Sequence, residues 1–114
     1  MVESEYLRVR EFLIPSYMDC EEADVLYNLR SGHAQLWPGK ECAVVTQCIR
    51  NPPSLYVWLA GGNIGEIVSL IPGVAAWARA QGCEFASVDG RAGWKRILAP
   101  HGFVEHEGEL RKAL

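Results

Sequence analysis

No apolar run in the chain approaches the roughly 20 residues that a helix needs to cross a bilayer, so no membrane span is expected. There is no Cys-x-x-Cys pair and no histidine at finger spacing, although Cys20, Cys42, Cys48 and Cys83 are present. A structural zinc site is therefore not expected, and reduced thiols packed as small hydrophobes are. Charge of one sign is also scarce. The net charge is −3 and the isoelectric point about 5.6, which argues against non-specific nucleic-acid binding. Basic side chains gather only at Arg91, Lys95 and Arg96, and again at Arg111 and Lys112. Ser54, Ser69 and Ser87 lack a nucleophile-elbow context, which leaves a hydrolase without support. The opening MVESEYLRVREFLIP carries acids early and no cationic leader, so a signal peptide is not expected.

What is present is ordinary globular material. The 114 residues are 49% hydrophobic and 22% charged, enough for one domain with one real core. The first segment, about 4–14, reads as a short helix or an extended arm, interrupted by Pro15. Asp19 with Glu22 makes a capping box, followed by Ala23, Leu26, Tyr27 and Arg30 at helical spacing and by Gly32 as a stop.

The periodicity then changes. "HAQLWPG" is short and apolar. "ECAVVTQCI" alternates, which puts Cys42, Val44, Thr46 and Cys48 on one face. "SLYVWLAGG" is a third strand ended by two glycines, and the short connections predict an antiparallel meander. From Ile64 to Gln81, the residues Ile67, Leu70, Ile71, Val74, Ala75 and Ala78 fall at helical spacing, with Pro72 expected to kink or divide the helix. "CEFASVDG" is a strand, "AGWKRILAP" a short helix and "FVEHEGELRKAL" a final strand. The strand–helix–strand step from "SLYVWLAGG" to "CEFASVDG" should be a right-handed parallel crossover. The fold class is α/β (α+β), a mixed sheet with helices on both faces.

The pieces "LW", "AVVTQ", "WLAGG", "WARAQGC", "GRAGWKRIL" and "HGF", spread over residues 30–103, resemble the second half of a GNAT acyltransferase fold. More closely, they resemble small tailed-phage and prophage proteins with that fold, similar to podophage internal-virion assembly proteins. The resemblance implies phage structural or assembly proteins as partners, and a cytoplasmic or virion-associated location.

In GNAT enzymes a Q/R-x-x-G-x-G/A loop after the fourth strand cradles the pyrophosphate of acetyl-CoA on backbone N–H groups. Here that place reads "LAGGNIGEIV", which makes Gly61, Gly62, Asn63 and Gly65 the cofactor-binding candidates. No Arg or Gln heads the motif, and Glu66 brings a negative charge to the first helical turn. The enzymes also carry a Tyr, the acid for the departing thiolate, four residues before the "GF" glycine; Leu98 stands there and cannot donate a proton.

A second candidate, for an anion, is Gly90, Arg91 and Gly93 ahead of a short helix. The competing reading is a tight strand-to-helix turn in which Arg91 pairs with Asp89 or Glu84. Trp94, Ile97 and Leu98 read as core contacts, Lys95 and Arg96 as a solvated face, and His101 as a turn residue.

The departures favour a non-catalytic GNAT-like binding or assembly factor in virion morphogenesis, with no catalytic residue, no metal and no cofactor. The alternative is an acetyl-CoA-dependent N-acetyltransferase with a divergent pyrophosphate loop. A third reading is an anion- or nucleotide-binding regulator built on Arg91.

Overall fold

A computed structural model describes residues 2–18, 20–89 and 92–114. The first segment is a helix, α1 (Val2–Leu13), rather than an arm. Tyr6, Val9 and Leu13 recur at helical spacing and are fully buried, while Glu3 and Glu5 in the first turn and Arg10 in the last suit the helix dipole. A 3₁₀ turn over Ile14–Ser16, with Pro15 in it, ends the run.

The next helix, α2 (Glu22–Ser31), begins later than Asp19 and Glu22 suggested. Its cap is Glu21, whose N–H donates to the Asp24 carboxylate at 3.2 Å. Asp19 lies outside the described residues. Glu22 is engaged elsewhere, accepting from Tyr6 Oη and from Arg10 Nε, each at 2.7 Å. The stop at Gly32 is as expected, with φ of 82° and its N–H bonded to the Leu29 carbonyl.

The strands are β1 (Ala34–Pro38), β2 (Cys42–Arg50), β3 (Pro53–Gly62), β4 (Phe85–Asp89), β5 (Val104–His106) and β6 (Glu109–Ala113). They form one six-stranded sheet in the order β1-β2-β3-β4-β6-β5. Among the described residues only β3 and β4 run parallel, joined through α3 (Ile64–Ala80). The expected meander and parallel crossover are both there.

One expectation needs correcting. The final strand is a hairpin, β5 and β6, turned at Glu107 (φ 49°) and Gly108 (φ 86°). Two successive positive φ values make a type I′ turn, which suits the strand twist; glutamate at its first position hides the signal. Of the two outcomes expected at Pro72, a kink or a division, the division does not occur: α3 runs through it to Ala80.

The sheet is covered on both faces. α1 and α2 pack on β1, β2 and β3, and Tyr6, Val9, Leu13, Val25, Val45 and Leu59 form the buried cluster between them. On the other face α3 and α4 (Ala92–Leu98) cover two further clusters. One contains Leu55, Ala78, Leu98, Phe103 and Leu110; the other contains Cys42, Val44 and Ile67. The helix positions read from the sequence point inward: Ile67, Ala75 and Ala78 are buried, and Leu70, Ile71 and Val74 are half-buried.

Thr46 is the buried polar link on this face. Trp37 Nε1 donates to Thr46 Oγ1 at 3.0 Å, and Thr46 Oγ1 donates to Gln35 Oε1 at 2.9 Å. The Trp37 ring meets Trp77 of α3 edge-on at 5.6 Å, which ties the first strand to the crossover helix.

Candidate functional site

The sheet is irregular at one place. β2 pairs Val45 with Leu59 and then Thr46 with Val57, so Trp58 is an extra residue on β3. Trp58 and Leu59 both pack into the cluster beneath α1 and α2. A bulge of this kind turns its strand and adds twist. β3 pairs with β4 only from Ser54 to Val57, the last pair being Val57 with Val88. Beyond it β3 runs on to Gly62 while β4 ends at Asp89. The two parallel strands part there, and α3 starts at the far end of the longer one.

The glycine loop at that point is occupied by the chain itself. Gly61 faces α1, and a β-carbon on it would overlap the Phe12 carbonyl. Gly62 takes a φ of 103°, and a β-carbon there would sit 2.6 Å from Cys42 Cα. Asn63 caps α3, its Oδ1 accepting from the Glu66 N–H at 3.0 Å. Its own N–H donates to the Glu41 carbonyl at 2.7 Å. Both carboxylate oxygens of Glu66 accept from the Glu41 N–H, at 3.0 and 3.1 Å. Gly65 lies against the Asn63 side chain.

The loop between β1 and β2 thus folds over the first turn of α3, and Arg8 of α1 donates to its Gly39 carbonyl at 3.1 Å. The four cofactor-binding candidates are together; Gly61 and Gly62 are packed against backbone, Asn63 is engaged as the cap of α3, and Gly65 is exposed. Nearby, burial and the Glu66 carboxylate push the Cys42 thiol above its ordinary pKa, so it is no ready nucleophile.

Of the second candidate set, Gly90 and Arg91 lie outside the described residues. Gly93 is exposed in the first turn of α4, with open space where a β-carbon would stand. Leu98, the residue compared above with the acid position, is buried among Leu55, Ala78 and Phe103. Trp94 and Ile97 pack beside it. Lys95 and Arg96 are exposed, Lys95 pairing with Glu105 at 3.2 Å. His101 sits in a 3₁₀ turn and offers its carbonyl to Lys112 Nζ at 2.7 Å.

Three features were not read from the sequence. A cavity of about 110 Å³ lies between α3, α4 and the β3–β4 pair, lined by Val57, Ile67, Leu70, Val88, Trp94 and Leu98 among others. It reaches Ser16 and Asp89 near the parting of the strands, and Lys112 elsewhere. At its Asp89 region the carboxylate accepts from Tyr56 Oη at 3.3 Å. On the opposite face, Tyr6 is buried and bonded to Tyr17 Oη and to Glu22, with Arg10 closing the group. Burial, together with these bonds, raises the phenol pKa of Tyr6, and Glu22 is held low by Arg10 and then by Tyr6. None of these groups has a local sequence signature, because each is assembled from more than one element.

Among the described residues no three His, Cys, Asp or Glu side chains converge as a metal site would require, and no helix is long and apolar enough to cross a membrane. Comparison of the chain with protein-family models, with curated protein sequences and with solved structures finds no match.

Proposed function

We propose that the chain is a GNAT-like domain that works by binding rather than by acyl transfer, as an assembly factor for a phage particle. The observation that carries the first part is the filled loop at the start of α3. Asn63 Oδ1 takes the Glu66 N–H, the Glu66 carboxylate takes the Glu41 N–H, and Gly61 is packed against Phe12. A pyrophosphate there would meet the Glu66 carboxylate, which carries the same sign of charge. Leu98, buried at the acid position, supports the same reading. The strand order, with its one parallel joint bridged by α3, fits the layout that the resemblance implies. The phage setting rests on that resemblance alone.

One observation favours the alternative, an acetyl-CoA-dependent N-acetyltransferase. The parting of β3 and β4 beyond Val57 opens the sheet beside an apolar cavity, where a thioester arm could pass. Calorimetric titration with acetyl-CoA and with CoA separates the two. The binding reading expects no heat at millimolar ligand, and saturable binding near micromolar would overturn it. The assembly role is tested by removing the reading frame from a phage that carries it and counting intact particles. A fall in yield is expected; unchanged yield and composition would end that role.

A further inference from the structure

A groove with basic side chains lies beside the apolar cavity beneath α3. It is shallow and is bordered by Ile71, Pro72 and Ala75 of α3 and by Pro100 and Gly102 of the turn after α4. Three basic side chains, Arg79, His101 and Lys112, stand along it. Ile71, Ala75 and Lys112 line the cavity as well, so groove and cavity share a wall. Among the described residues neither Arg79 nor Lys112 is paired with a carboxylate. The Lys112 ammonium is held in place by the His101 carbonyl and lies against Gly102.

We infer that this joined cavity and groove form a binding site for a short-chain fatty carboxylate, with the alkyl chain under α3 and the carboxylate at Lys112 and Arg79. Charge sets the orientation. The cavity reaches the Asp89 carboxylate near the parting of the strands, so an anionic head is repelled there and drawn to the basic groove. Size sets the chain length. The volume of about 110 Å³ is below the roughly 150 Å³ that takes benzene in an apolar protein cavity, which leaves room for about four or five carbons. Hexanoate, with its carboxylate outside, matches both limits. The site is separate from the glycine loop at the start of α3, and it does not depend on the assembly role.

The experiment is a titration of the whole protein with a series of carboxylates from acetate to hexanoate, read by calorimetry and by amide chemical shifts. Affinity should rise about fourfold for each added methylene, with the largest shifts at Ala75, Lys112 and Leu98. Hexylamine should bind at least tenfold more weakly than hexanoate. The double variant Arg79→Gln, Lys112→Gln, checked for native circular dichroism, should lose at least tenfold for hexanoate. Absence of hexanoate binding at millimolar concentration would overturn the proposal, as would equal binding of hexylamine. A flat length series, or a double variant that folds and binds like the parent, would do so too. Acetyl-CoA that displaces hexanoate would assign the cavity to the thioester and overturn the proposal in favour of the transferase. If the double variant does not fold, the length series and the amine comparison on the parent protein decide the matter.

Discussion

Single residues at the glycine loop set hard limits on what the loop can accept. Gly61 has no room for a side chain because the Phe12 backbone occupies that space, whereas Gly73 on the exposed side of α3 has open space around it. The same substitution should therefore act with opposite sign at the two places. Gly61→Ala is expected to destabilise by about 2 kcal/mol or more, since a backbone carbonyl must move. Gly73→Ala should stabilise by about 0.5–1 kcal/mol, through helix propensity and a less flexible unfolded chain. Thermal unfolding of both variants checks the pair; a stabilised Gly61→Ala would mean that α1 is not seated on β3 as described. The sequence shows both glycines equally well. "WLAGG" marks a strand end, but it cannot reveal that α1, some fifty positions earlier, approaches Gly61 so closely. The bulge at Trp58 was equally hidden, because the apolar residues on both sides of it continue without a break.

Helices and strands were legible where one pattern dominated. The positions of α3 from Ile67 to Ala78 show a plain helical period, and β2 alternates cleanly, with Cys42 and Val44 facing α3 and Ala43 and Val45 facing α1. The failures were at ends and turns. α2 starts at a glutamate cap, and the last hairpin turns on a glutamate, where neither residue announces its role. The contact between α1 and α2 carries a pH signature that belongs to this scale. Glu22 is held below the ordinary carboxylate pKa by Arg10 and Tyr6. Its contribution to stability is thus present above the unfolded carboxylate value and is lost as pH falls through the lower folded one. Glu22→Gln should lower the melting temperature at neutral pH and flatten its decline in acid, between about pH 5 and pH 3. Tyr6 and Tyr17 are raised, both chiefly by burial. Stability should therefore fall as pH rises beyond the unfolded phenol value of 10.0, because only the unfolded chain releases those protons readily. A melting profile for Glu22→Gln parallel to that of the parent from neutral to acid would remove Glu22 from this account.

Across the whole molecule, protection should be graded along the sheet. β2 is largely buried, and β3 is paired with β2 on both sides of the Trp58 bulge and with β4 over its first half, whereas β5 is a three-residue edge with every residue exposed. Amide exchange is expected to be slowest in the β2–β3 ladder, at the global unfolding limit, and fastest in β5 and the Glu107–Gly108 turn. Slow exchange throughout β5 would show that a further partner covers that edge. At this scale the alternation of elements and the parallel step were legible beforehand, because those depend on local period and on connection length. The cavity and the basic groove beside it were not. Arg79, His101 and Lys112 are spread over more than thirty positions, and only the wrapping of β6 beside α3 and the turn after α4 brings them to one groove.

The seating of α1 on β3 also has a consequence during synthesis. The backbone at Phe12 needs the surface that Gly61 provides, and that strand leaves the ribosome about fifty residues later. At roughly 5–20 residues per second, Tyr6, Val9 and Leu13 wait about three to ten seconds before their native cover is complete. Until then the nascent chain displays an apolar stripe, and a chaperone or an early partner would meet this helix before the sheet does.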